Sequence, residues 1–299
     1  MKIAHISDVH IRNYRYHNEY KAVFEQLYEK LRELKPDFIV NTGDTAHTKL
    51  QLSPSYFQMT ANFFESLADI APLHVILGNH DLNLRNTGKV DAITPIVDAL
   101  DHPDIHFHKF SKEVEVGNDF VLNVMSIVDE DKWIIPTDKD KVNIALFHGS
   151  VAGVTTDTGW VMEHGDIDIK NFKGFDYVLL GDIHKTNQKL DDAGRVRYPG
   201  SLVQQNFGET PDKGFLLWNI KDKKDFTCEH FQIESPIPFI TVELTAKGRI
   251  PKNTDITLGA RIRLVSNNNL PLDRMRRAID IAKTRFKPES ITFLNRSSG

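Results

Sequence analysis

A single cysteine, Cys228, in 299 residues excludes an internal disulfide framework and any thiolate-ligated metal cluster. Long apolar runs are missing too. None approaches the roughly 20 residues a membrane-spanning helix needs, and no cationic-then-apolar leader precedes the first strand. The expectation is a cytoplasmic protein with no membrane partner. Surplus positive charge is the third absence: at a net charge of −4 and a pI near 6.4, no global basic field attracts a polyanion. Any such partner must be held by a local patch or by bound cations. Repeats and low-complexity segments are also lacking. What is present, 40% hydrophobic and 26% charged residues, suits a globular protein of one large domain, or one large and one small.

Strand signals recur along the chain. Lys2 to Ser7 reads as a strand, and Tyr20, Phe24, Leu27, Leu31 and Leu34, stepping by three and four, predict a helix from about Asn18 to Lys35 that Pro36 stops. Asp37 to Asn41 is the next strand. Ser53 as N-cap and Pro54 at the first helical position open a helix through Tyr56, Phe57, Phe63, Phe64 and Leu67. Strand Leu73 to Leu77 follows, then a helical stretch around Asp91 to Leu100 interrupted by Pro95. This alternation implies parallel strands with helices on their faces. Further on, Gly117-Asn118-Asp119 and Asp191-Asp192-Ala193-Gly194 mark tight turns between short strands, and Val142 to Phe147 and Tyr177 to Leu180 are compact apolar strands. The reading is a two-sheet sandwich flanked by helices over residues 1–235. Behind the proline-marked linker Ser235-Pro236-Ile237-Pro238, strands Phe239 to Leu244, Arg261 to Val265 and Ser290 to Leu294 with a helix from about Pro271 to Phe286 form a small α+β unit, residues 236–299.

Chemistry sits where strands end. Asp8 and His10, Asp44 after Gly43, Asn79 and His80 in Gly78-Asn79-His80-Asp81, His148, and Asp182 with His184 follow five successive strands. Each alone is an ordinary turn-capping or hydrogen-bonded residue; their ordered recurrence is what points to a site. Carboxylates, imidazoles and one amide oxygen make a mixed N/O set suited to manganese, iron or zinc. Asp8, His10, Asp44, Asn79, His148, Asp182 and His184 are enough donors for two ions, and a dinuclear centre suggests metal-assisted hydrolysis of a phosphoester. His74, His102, His106 and His108 read as structural or surface residues.

The order resembles that of the calcineurin-like metallophosphoesterases, D-x-H, G-D, G-N-H-[DE], H, then G-H-x-H, with Asp182 standing at the first histidine of the last element. That resemblance implies a four-layered α/β/β/α sandwich, with Asp8, His10, Asp44 and His184 on a first ion and Asp44, Asn79, His148 and Asp182 on a second. It makes His80 either the proton donor to the leaving oxygen or a stabiliser of the transition state, and Asp81 is the candidate for orienting His80. A finer similarity lies in His47, Ser53-Pro54-Ser55, Arg197-Tyr198-Pro199-Gly200-Ser201, Asn206-Phe207-Gly208-Glu209 and Lys213-Gly214-Phe215. These resemble the SbcD or meiotic-recombination-11 family, the nuclease subunits of double-strand-break repair complexes, which phages also encode; for a phage protein the compartment would be the host cytoplasm. The resemblance implies His47 close to the scissile phosphate, manganese ahead of magnesium as the ion, DNA as substrate, a C-terminal DNA-capping domain, and an SbcC-type coiled-coil ATPase partner. It also implies a homodimer through the helices after Ser53 and around Ile96, where Tyr56, Phe57, Met59, Phe63, Phe64, Val90, Ile93, Ile96, Val97 and Leu100 offer more apolar surface than one sheet face should need; the alternative is burial of both helices within the monomer. Two departures stand out. Asp182 occupies a position where the family usually has His, and little chain follows Leu294, so either this is a truncated core or the ATPase is gripped elsewhere.

The leading expectation is therefore a metal-dependent DNA exonuclease or endonuclease. Its rivals are a small-molecule metallophosphodiesterase and a non-catalytic DNA-end scaffold. The local excess of Arg261, Arg263, Arg274, Arg276, Arg277, Lys283, Arg285 and Lys287 favours DNA, with Arg197, Arg261, Arg263, Arg274 and Arg277 as expected contacts. A solvated helix face is the plain alternative for these charges.

Overall fold

The computed structural model describes residues 1–296; residues 297–299, the last of the expected second domain, lie outside the described residues. Twelve strands precede Ser235: β1 (Lys2–Ile6), β2 (Phe38–Asn41), β3 (Leu73–Ile76), β4 (Ile105–His108), β5 (Lys112–Val116), β6 (Phe120–Met125), β7 (Val142–His148), β8 (Tyr177–Gly181), β9 (Gln188–Lys189), β10 (Val196–Tyr198), β11 (Gly214–Ile220) and β12 (Phe226–Gln232). They form two six-stranded mixed sheets, in the orders β12-β11-β1-β2-β3-β4 and β5-β6-β7-β8-β10-β9. Strands β1 to β4 run parallel, as do β6, β7, β8 and β10. Their carboxyl ends thus gather at one edge of each sheet.

Alternation along the strands sorts the side chains. Ile3, Phe38, Val40 and Ile76 of the first sheet meet Leu122, Val124, Ile144, Leu146 and Leu179 of the second in a dry layer between the sheets. The opposite face of the first sheet carries Ala4, Ile6, Ile39, Leu73 and Val75 and is covered by helices α1 (His17–Leu34) and α2 (Pro54–Ile70) and by the short α3 (Thr94–Leu100). The outer face of the second sheet is covered by the segment 151–172. The architecture is the two-sheet sandwich that the sequence suggested.

Helix α2 starts as read, with Ser53 Oγ accepting from the Tyr56 N–H and Pro54 in the first turn. Pro95 differs: it lies in the first turn of α3 and opens that helix instead of interrupting it, since its missing N–H costs nothing there. Part of the apolar surface expected at a dimer is buried within the chain, while Phe57, Val97 and Leu100 are half-buried. Tyr56, Phe63, Phe64 and Ile93 are fully buried and Ile96 nearly so, while Val90 remains exposed. A charge at Phe64 would unfold the monomer, because even truncation of such a residue costs about 3–5 kcal/mol.

The chain divides into two compact units, Met1–Val203 with Asp212–Glu234, and Gln204–Pro211 with the chain from Ser235 onward. The segment holding Asn206-Phe207-Gly208-Glu209, read from sequence as part of the first domain, thus groups with the second. That second unit contains a parallel sheet of β13 (Phe239–Glu243), β14 (Arg261–Ser266) and β15 (Ser290–Asn295), with helix α4 (Leu272–Phe286) burying Ala278, Ala282 and Phe286. No helix of the described residues is long and apolar enough to cross a membrane.

Buried histidines tie this fold to pH. His5 is fully buried, with Nε2 3.1 Å from the Leu180 carbonyl and its Nδ1 accepting from Trp218 Nε1. His74 and His108 sit side by side on β3 and β4, ring nitrogens 2.9 Å apart. Burial pushes all three down from 6.5 to about 3. Because the folded pKa lies below the unfolded one, this contribution is complete above about pH 6.5 and is lost as pH falls toward 3, at up to about 1.4 kcal/mol per pH unit for each group. Urea unfolding at pH 7 and pH 5 should therefore show a smaller stability loss in a His74→Leu/His108→Leu variant than in the parent. Equal losses would remove these histidines from the acid response.

Candidate metal centre

The carboxyl-terminal ends of the parallel strands turn sharply, and the turns carry the chemistry. Asp8, His10, Asp44 and Asp182 have φ of 52°, 53°, 54° and 107°, a left-handed conformation that costs a non-glycine residue of order 1–3 kcal/mol. The surroundings hold them there. Asp8 N donates to the Gly43 carbonyl at 3.0 Å and His10 N to the Asp44 carbonyl at 3.0 Å, while Tyr20 Oη reaches from α1 to the carbonyls of Val9 and His10 at 2.8 and 2.7 Å. Glycine is required where backbones close around these side chains: a β-carbon at Gly78 would collide with Asp44 Oδ1, and one at Gly181 with the Thr42 carbonyl and Ser7 Oγ.

Two groups of donor atoms result. In the first, His10 Nε2 and His184 Nε2 lie 3.0 Å apart, Asp8 Oδ1 is 3.8 and 3.7 Å from them, and Asp44 Oδ2 is 3.7 Å from His10 Nε2. In the second, His148 Nε2 is 3.4 Å from the same Asp44 Oδ2 and 3.8 Å from Asp182 Oδ1. Asp44 Oδ2 is therefore the atom common to both. Among the described residues, Asp8 Oδ1, Asn79 Oδ1 and His148 Nε2 are buried with no hydrogen-bond partner. Buried polar atoms left without partners are what a bound cation would satisfy, and the N/O donor set suits a hard or borderline divalent ion. His148 is oriented for such a role, its Nδ1 lying 2.7 Å from the Thr42 carbonyl so that Nε2 faces inward.

Charge is strongly coupled here. Burial opposes ionisation of Asp44, but His148, His10 and His80 outweigh it and hold the carboxyl below its ordinary range. Burial, only partly offset by His148, pushes Asp182 up to about 6. Burial and then the neighbouring Arg12 lower His47 to about 4.

Around this centre the expected residues separate. His80 is exposed, with Nδ1 2.9 Å from the His47 carbonyl and its ring centroid 4.9 Å from that of His10. His47 lies close by, its ring centroid 5.6 Å from His10 and 6.0 Å from His80. Asp81 does not orient His80. Its carboxylate accepts from the N–H groups of Gly78, Asp44 and Ala46 at 2.8, 2.9 and 2.8 Å, pinning two strand-end loops together, and the His47 carbonyl takes the place expected of it.

Two arginines are corrected as nucleic-acid contacts. Arg197 is buried, donating to the Gly194 carbonyl and Asn187 Oδ1 and lying 5.5 Å from the Trp218 ring. Arg261 is buried against the Phe239 ring and donates to the Ile237 carbonyl. Arg263, half-buried, lies 4.3 Å from the Phe207 ring, whereas Arg274 and Arg277 are exposed on α4. A charge surplus in sequence does not say which stems are packed. The sequence gives Lys213 no role beyond its place in a motif and does not single out Arg12. Lys213, almost wholly buried, pairs with Asp157 at 3.1 Å and donates to the His184 carbonyl at 2.6 Å, bracing that strand end.

Comparison with known proteins bears on this arrangement. "Uncharacterized protein R555" of Acanthamoeba polyphaga mimivirus is 35% identical over 283 residues, covering 89% of this chain and 20% of that protein, so the chain spans about a fifth of that relative's length. "Putative phosphoesterase 244L" of Invertebrate iridescent virus 6 is 27% identical over 237 residues, covering 74% of this chain and 77% of its own. The crystal structure of the Pseudomonas putida nuclease MPE covers 47% of this chain and 57% of its own at 21% identity and a TM-score of 0.27, a likeness too slight to bear on the reaction. The sequence model of the calcineurin-like phosphoesterase family matches residues 1–186. That span runs from the first strand through His184 and includes Asp8, His10, Asp44, Asn79, His148, Asp182 and His184, and the chain belongs to this family of metal-dependent phosphoesterases.

Proposed function

We propose that the chain is a DNA nuclease, hydrolysing phosphodiester bonds by exonucleolytic or endonucleolytic cutting during end processing, repair and recombination. Manganese is the proposed ion, with magnesium as the substitute. The observation that carries the reading is the pair of donor groups sharing Asp44 Oδ2, with the exposed His80 beside them. Asp8, His10, Asp44 and His184 would hold one ion, and Asp44, Asn79, His148 and Asp182 the other. Bound there, two divalent ions would supply Lewis-acid polarisation of the phosphoryl oxygens and acidification of water. The chain's own residues do the rest. A carbonyl can only accept, so the His47 carbonyl fixes the proton of neutral His80 on Nδ1 and turns Nε2 outward; protonated there, Nε2 delivers the proton to the leaving oxygen. Asp81 holds the loops of Asp44 and Gly78 in register.

DNA is favoured over a small phosphodiester by the motif resemblance to the SbcD or meiotic-recombination-11 family, and by a second unit whose helix α4 displays Arg274, Arg276, Arg277, Lys283 and Arg285. That unit, in this reading, is the DNA-capping domain. An SbcC-type coiled-coil ATPase is the proposed partner. A homodimer remains part of the proposal on resemblance alone, and light scattering across a dilution series measures it. The deciding experiment incubates labelled duplex and single-stranded DNA with manganese, magnesium or chelator, using a bis-aryl phosphodiester as control. Metal-dependent cutting of DNA supports the nuclease. Hydrolysis of the control with DNA left intact would make this a small-molecule phosphodiesterase, and inactivity on both would leave an end-binding scaffold.

Asp182 tests the second ion. Removing its carboxylate should empty that site while leaving the first, so Asp182→Ala crystals soaked in manganese should show one anomalous peak where the parent shows two. Two full peaks in the variant would exclude Asp182 as a ligand.

A further inference from the structure

Arg12 follows His10 by two residues on a loop fixed at several points. His17 Nε2 lies 2.6 Å from the Arg12 carbonyl. Asn13 donates to the Gln51 carbonyl and accepts from Ser53 N, and Ser53 Oγ donates to the Asn13 carbonyl. The guanidinium carbon lies 5.3 Å from the Tyr16 ring centroid, and Nη1 lies 3.0 Å from His47 Nε2. That last contact has one chemical meaning. A guanidinium has donors and no acceptor, so His47 Nε2 must be the unprotonated acceptor and the neutral ring must carry its proton on Nδ1. Among the described residues, His47 Nδ1 is buried with no hydrogen-bond partner. A buried donor left without an acceptor costs about 1–3 kcal/mol.

We infer that Arg12 is a positioning residue for the phosphodiester reaction, fixing His47 as a hydrogen-bond donor through Nδ1–H toward a phosphoryl oxygen of the substrate. The inference rests on the phosphodiesterase reading above. It also removes His47 from the metal ligands. His10, His47 and His80 lie close enough together to hold an ion, but with Nε2 engaged by Arg12 and Nδ1 protonated, His47 has no lone pair to offer. The anionic oxygen of a phosphodiester is the acceptor that this N–H lacks in the protein alone.

The test reads the tautomer directly. Long-range ¹H–¹⁵N spectra of protein labelled at histidine, with His47 assigned by its absence in His47→Ala, should show a protonated Nδ1 and a bare Nε2. In Arg12→Ala the ring should lose that preference, and turnover of a bis-aryl phosphodiester should fall about ten- to a hundredfold with metal content unchanged, as expected for a residue acting through another. Arg12→Lys, which keeps a donor, should restore the tautomer and part of the rate. Arg12→Ala/His47→Ala should be no slower than His47→Ala alone. A parent His47 protonated on Nε2, or losses that multiply in the double variant, would overturn the inference. A parent protein inactive on phosphodiesters but with the Nδ1–H tautomer would instead overturn the proposed reaction and leave the Arg12–His47 geometry standing.

Discussion

Asp44→Ala should yield a folded protein that retains neither ion and hydrolyses no phosphodiester. Asp44 Oδ2 lies 3.7 Å from His10 Nε2 and 3.4 Å from His148 Nε2, so its loss removes a donor from both groups at once. Loss of ion-derived stabilisation is worth several kcal/mol, and at about 1.4 kcal/mol per tenfold this lowers turnover roughly a thousandfold or more. A complication is built into the residue: Asp44 Oδ1 also accepts from His80 N at 2.8 Å, so alanine frees the loop that carries His80. Asp44→Asn keeps an oxygen for that bond while discarding the charge, and should lose metal with His80 still in place. Elemental analysis beside rates on DNA measures both variants. An alanine variant holding two ions per chain would show that the donor groups are not joined through Asp44.

His80→Ala is expected to behave in the opposite way, keeping both ions and losing turnover. A positioned proton donor is worth about a hundred- to ten-thousandfold, and His80 contributes no side-chain atom to the buried orphans at the centre. The loss should depend on the leaving group. An alkoxide leaving from DNA needs a proton, whereas a nitrophenolate departs readily without one, so the variant should be impaired far more on DNA than on a bis-nitrophenyl ester. Equal impairment on both substrates would assign His80 to binding or charge stabilisation, and an unimpaired variant would remove it from the mechanism.

The site was legible because its residues are short, polar and placed at the ends of apolar strands. Parallel strands bring their carboxyl ends together whatever the loops between them do, so Asp8, Asp44, Asn79, His148 and His184 could be grouped without distances. Orientation was not legible. Nothing in Gly78-Asn79-His80-Asp81 reveals that Asp81 turns back onto three backbone N–H groups while its neighbour faces out. Long side chains misled for a related reason: Arg197 and Arg261 bury flexible stems against Trp218 and Phe239, and only tertiary packing decides whether a guanidinium meets an aromatic ring or solvent. Arg12 escaped notice because its significance is a single contact across 35 positions of sequence. In the fold, Pro95 was read as a breaker where it is an opener, two roles that one residue type plays depending on which turn it occupies.

The path of the chain through the second unit constrains how that unit can be exchanged. Residues 204–211 belong to it although they precede β11 and β12. Gln204 exchanges a pair of bonds with the backbone of Phe239, at 2.9 Å each, and Phe207 stacks edge-on to Phe239 and beneath Arg263. A stop codon after Glu234 would not delete the unit cleanly, because it would strand an octapeptide whose polar and aromatic partners had gone. A chimera that grafts a relative's C-terminal domain onto this chain at residue 235 inherits the same mismatch. The unit is transferable only as two segments, and its sequence and that of the 204–211 insert must vary together.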